Sequence, residues 1–97
     1  MVKADFYIHK TSGILAYIFQ KDGETLILER ESDFMEATYH PTTQELKEFR
    51  RLKPGELQKL LNNIDSEDKS EKRQAEWLKR KQEQIRTGEI HQYTSSL

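Results

Sequence analysis

Over the first forty residues, apolar side chains fall in short runs that turn residues separate every eight to twelve positions. That rhythm predicts an antiparallel meander of three to four strands across residues 4–39. Phe6-Tyr7-Ile8 opens it, and Thr11-Ser12-Gly13 reads as a turn. Ile14 to Gln20 is the most apolar run of the chain. Lys21-Asp22-Gly23-Glu24 follows, and Asp-Gly is a strong hairpin signal because glycine accepts the positive φ such turns require. Thr25 to Arg30 forms the third run, and Phe34 to Tyr39 offers a fourth.

Side chains alternate between the faces of a strand. In the second run Ile14, Ala16 and Ile18 point one way, and Leu15, Tyr17 and Phe19 the other. Both sets are apolar, so this strand is expected to be central and covered on both faces.

Pro41 ends the period of two. Thr42-Thr43-Gln44-Glu45 then reads as a capping box, opening a helix expected from about Thr43 to Leu52. Pro54 suits the first turn of a second helix, in which Leu57, Leu60, Leu61 and Ile64 form one apolar face. From Ser66 to Thr87 the chain is a dense mix of Glu, Lys, Arg and Gln, all good helix formers. Two Asp/Glu-to-Lys/Arg pairs four residues apart, Asp68–Lys72 and Glu76–Arg80, support it, and Thr87-Gly88 reads as its stop. The fold class is therefore α+β: a small antiparallel meander, two short helices, then a long charged C-terminal helix. Residues 1–64 are expected as the compact part, 65–88 as a polar helical extension of the same domain, and 89–97 as a flexible tail that Ile90 or Tyr93 can anchor.

Composition narrows the function classes more than it names one. The 97 residues carry 16 basic and 17 acidic side chains, a net charge of -1. The balance gives no global pull toward nucleic acid or anionic membrane. Residues 1–40 have 4 basic and 7 acidic side chains, 41–64 have 5 and 3, and 65–97 have 7 of each. The basic bias therefore sits in the middle. Cysteine is absent, which removes disulfide and thiolate chemistry and fits a reducing cytoplasm. No apolar stretch approaches the ~18 residues of a membrane span, so a cytoplasmic location is expected.

Catalytic signals are missing. His9, His40 and His91 lie far apart and lack zinc-ligand spacing. Ser12 and Ser32 sit in no nucleophile elbow. Glu29, Glu31, Asp33 and Glu36 cluster, and read as a charged solvent-facing turn that guards a sheet edge. A small hydrolase would need His9 or His40 gathered with Glu29, Glu31 or Glu36. The four glycines are isolated, so no phosphate loop is present. No catalytic residue, metal, cofactor or small-molecule ligand is assigned.

The leading expectation is a non-enzymatic protein-interaction or regulatory module, binding a protein partner or itself as a homodimer. Its candidate surfaces are a sheet face with Tyr7, Tyr17 and Phe19, and a helical stripe with Trp77, Leu78 and Ile85. The alternative is a nucleic-acid-binding accessory protein. Its candidates are Arg50, Arg51, Lys72, Arg73, Lys79 and Arg80 on the basic helices, where binding would weaken with salt.

Overall fold

Strand formers and an Asp-Gly turn produce the sheet the alternation implies, with one strand more than expected. The computed structural model describes residues 4–90. These form two compact units that divide between Leu52 and Lys53. In the first unit β1 (Asp5–His9), β2 (Leu15–Lys21), β3 (Glu24–Arg30) and β4 (Glu36–Tyr39) run as an antiparallel meander. After the short helix α1 (Thr43–Lys47), β5 (Phe49–Arg51) returns to the far side of β1. The sheet order is β4-β3-β2-β1-β5.

The β2–β3 hairpin closes on Asp22 at φ 54° and Gly23 at φ 81°, the two positive values of a type I′ turn. β2 is central, and its residues Leu15 to Phe19 are all buried. On one face Ala16, Ile18, Ile27 and Phe49 form a core cluster, with Tyr7, Tyr39 and Leu46 packed against it. The opposite set holds a row of rings. Phe6 and Tyr17 are 5.1 Å apart between centroids, and Tyr17 stacks on Phe19 at 5.4 Å.

The helix expected over 43–52 is instead α1 followed by β5. The capping box forms as read: the Thr42 hydroxyl accepts the Glu45 amide at 3.1 Å, and the Thr42 amide donates to the Glu45 carboxylate at 2.8 Å. The helix stops at Glu48 because the edge of β1 competes for the backbone that follows. The Lys10 amide donates to the Glu48 carbonyl, and the Leu52 amide to the Phe6 carbonyl. His9 pairs with Phe49 between them. Leu46, Phe49 and Leu52 step by three, as one helix face would, yet Phe49 reaches the core cluster from a strand. Pairing closes an edge that would otherwise be open.

The second unit holds α2 (Pro54–Asn62), a 3-10 turn (Asn63–Asp65) and α3 (Lys69–Thr87). Within it, α2 and the turn both contact α3. The division at Leu52/Lys53 places α2 and α3 in one unit. The Asp68 carboxylate accepts the amides of Ser70 and Glu71 at 2.9 and 3.1 Å, so α3 starts at Lys69 rather than Ser66. Gly88 ends it at φ 84°. The Ile90 amide donates to the Gln84 carbonyl, which tethers the chain just past the stop. The remainder of the expected tail, with Tyr93, lies outside the described residues. No helix among the described residues is long and apolar enough to cross a membrane.

Candidate functional site

The register separates the aromatic residues expected to share a surface. Tyr17 pairs with Phe6, and Tyr7 pairs with Ala16. Tyr7 therefore faces the Ala16/Ile18 side, while Tyr17 and Phe19 lie on the other. Tyr17 and Phe19 are buried, as are Trp77 at 3% and Leu78 at 0% exposure. Tyr7 and Ile85 are half-buried. These six residues thus form no continuous exposed apolar patch. Trp77 has the Lys81 ammonium 5.9 Å from its ring, and Lys81 is itself buried, with Nζ donating to the Gln84 side chain at 2.9 Å.

Two other side chains are the large hydrophobics exposed among the described residues: Phe34 at 82% and Met35 at 61%. Both precede β4, in the turn that the alternation assigned to the fourth strand. The turn is tightly held. The amides of Glu31 and Ser32 both donate to the Met35 carbonyl, at 2.9 and 3.1 Å. The Phe34 amide donates to the Ser32 hydroxyl at 3.4 Å. Arg30, the buried last residue of β3, donates from Nη2 to the Asp33 carboxylate at 2.6 Å, and its Nε has no hydrogen-bond partner. A buried guanidinium is costly unless paired, so this contact resists opening of the turn. Glu31 and Glu36 flank the apolar pair and are exposed. The signal available in the sequence was the Ser32-Asp33 step, which favours a turn and leaves Phe34 and Met35 beyond the end of β3.

The acidic cluster is divided among separate tasks. Asp33 binds Arg30, and Glu29 accepts the Tyr39 hydroxyl at 3.1 Å. Burial first, and Glu29 second, push the Tyr39 phenol up to about 12. Burial likewise raises Tyr7 and Tyr17. No group of three or more His, Asp or Glu side chains among the described residues is arranged to hold a metal ion.

The histidines serve local structure. His9 Nδ1 accepts the amides of Thr11 and Ser12, at 3.3 and 3.1 Å, and so organises the β1–β2 turn. Its proton is thereby placed on Nε2, which lies 3.4 Å from the Glu48 carboxylate. The ring also meets Phe49 edge-on at 5.1 Å. His40 lies 3.2 Å from Glu24. Neither ring is brought to Glu29, Glu31 or Glu36, the combination a hydrolase would have required. His91 lies outside the described residues.

The basic candidates divide as well. Arg50 pairs with Ile8 and Arg51 with Tyr7, so the two point to opposite faces of the sheet. Arg51 is also held by Asp5 at 2.6 Å. Lys72, Lys79 and Arg80 are exposed on α3, and Arg73 is half-buried. Comparisons with protein-family models, curated proteins and solved structures find no match to this chain.

Proposed function

We propose that this protein is a non-enzymatic protein-interaction module, and that its contact is the turn at residues 31–36. The observation that carries this reading is the exposure of Phe34 and Met35 on a turn with its own hydrogen bonds and a buried arginine anchor. Isolated exposed apolar residues need no explanation. Two adjacent ones, of types enriched at interfaces and carried on a hydrogen-bonded turn, favour binding, because a turn already held by its own hydrogen bonds has less conformational entropy to lose on docking. Glu31 and Glu36 at the rim match an apolar pocket bordered by Lys or Arg. Such a partner is a second protein, acting with this one in a reducing compartment such as the cytoplasm, which the absence of cysteine fits.

Site-specific photo-crosslinking tests the proposal. A photoreactive phenylalanine analogue at position 34 should capture one discrete protein in native cells, whereas the same analogue at the exposed position 59 on α2 should not. With the captured protein purified, Phe34→Ala/Met35→Ala should weaken binding about tenfold or more, equivalent to about 1.4 kcal/mol, with an unchanged circular dichroism spectrum. Equal labelling from positions 34 and 59 would remove the turn from consideration. A crosslinked homodimer would reassign the turn to self-association.

A further inference from the structure

We infer that the exposed face of α3 is a binding site for the phosphate backbone of a nucleic acid. The chain as a whole is nearly neutral, whereas the exposed charged side chains of α3 are Lys69, Lys72, Lys79, Arg80 and Arg86 against Glu71, Glu76 and Glu83, a net of +2. Lys69, Lys72, Lys79 and Arg80 are all exposed. At 3.6 residues per turn they fall within an arc of about 100° and span roughly 17 Å of helix axis. None of the four pairs with a carboxylate among the described residues. The acids on this arc are Glu76 and Glu83, and Glu83 is already engaged by Arg86. The acidic residues Asp65, Glu67 and Asp68 precede the helix, where Asp68 caps its first turn.

The chemistry of this face selects among anionic ligands. Its apolar residues Ala75, Trp77 and Leu78 are buried, and the exposed arc carries no apolar side chain. An interfacial membrane helix needs an exposed apolar face to insert, which this one lacks. A protein interface needs apolar anchors at its centre, also absent here. A phosphodiester backbone needs neither: it is a linear array of charge that lysine and arginine neutralise with release of counterions. The face also lacks a second group of side chains aimed as base readers, so binding is sequence-independent. This face belongs to the helical unit and the 31–36 turn to the sheet unit, and its test does not depend on that turn.

Fluorescence anisotropy with the full chain tests it, using a labelled duplex DNA of about 20 base pairs and a single-stranded RNA of matching sequence, between about 50 and 200 mM salt. Four phosphate contacts give a slope of log Kobs against log salt of about -3.6 for the duplex or about -2.8 for the single strand. Binding to either supports the site, and the tighter of the two gives its preferred class of nucleic acid. Lys72→Gln/Lys79→Gln/Arg80→Gln keeps good helix formers and should flatten the slope by about 2 to 3. The same variant should lose at least about tenfold in affinity at low salt, while Lys59→Gln on α2 should change little. Three results overturn the inference: no binding at about 50 mM salt, unchanged affinity in the triple variant with its helical spectrum intact, or equal binding to polyglutamate or phosphatidylserine vesicles.

Discussion

The sheet unit and the helical unit solve the same problem by opposite means. The sheet closes through pairings between distant positions: His9 meets Phe49 across forty residues of chain. Its interior includes a cluster made almost entirely of apolar side chains. The helical unit is built from local signals. Pro54 opens α2, Asp68 caps α3 and Gly88 stops it. Of the nineteen residues of α3 only Ala75, Trp77, Leu78 and Lys81 are buried, and one of those is a lysine. A helix of strong helix formers with defined ends concentrates its interior contacts in a few side chains, each of which then matters, and this frees its outer face for charge. A strand has no such local closure and must find a partner.

The largest test of this contrast removes one side chain from each interior. Ile27 and Leu78 are both fully buried. Ile27→Ala and Leu78→Ala should each cost about 2–5 kcal/mol, read from urea unfolding. Burial of so few apolar residues along α3 implies that Leu78 contributes as much as a core strand residue. A cost below about 1 kcal/mol at Leu78, with Ile27 in the full range, would show that α3 holds without that contact and would break the comparison.

The next test compares two of the three glycine turns that take a positive φ. Gly23 ends the central hairpin and Gly88 ends α3, at 81° and 84°, and an added Cβ would meet open space at both. The cost of alanine is then backbone strain alone, about 1–2 kcal/mol at each site. Equal losses would mean that both ends are set locally. A clearly larger loss at Gly23 would show that the hairpin also sets the register of the β2–β3 ladder.

The smallest effect is confined to alkaline pH and to the sheet unit. Tyr39 in the folded chain is pushed up to about 12, whereas an unfolded tyrosine ionises near 10. The folded state therefore keeps this proton longer. Its contribution is full below about pH 10 and is lost as the pH rises toward about 12. Tyr39→Phe should cost about 1 kcal/mol or less at neutral pH and should make the alkaline fall in stability shallower. An unchanged alkaline profile would assign that fall to the other tyrosines, Tyr7 and Tyr17, which burial also raises.

The elements that were legible from the chain are those whose cause lies within a few residues. The Asp22-Gly23 turn, the Thr42/Glu45 capping box and the Gly88 stop formed where their residue types required, because each satisfies its own backbone. The centrality of β2 was legible as well, since both of its faces are apolar. The candidate site was not. Phe34 and Met35 look like the start of a strand, and only the hydrogen bonds that fold residues 31–35 back on Met35 turn them outward. Tyr7 and Tyr17 looked like one surface until register set them on opposite faces.

By itself, then, the sequence determined the α+β class, the order of its first four strands and three helices, and the absence of cysteine chemistry. Periodicity, caps and turn residues act over one to four positions, so they can be read directly. Tertiary structure alone decided that Phe49 to Arg51 leave a helical pattern to pair with β1, and that Trp77 and Leu78 are buried. It also decided which apolar side chains remain in water. Those outcomes depend on long-range hydrogen bonds and buried area, which arise only when distant segments meet.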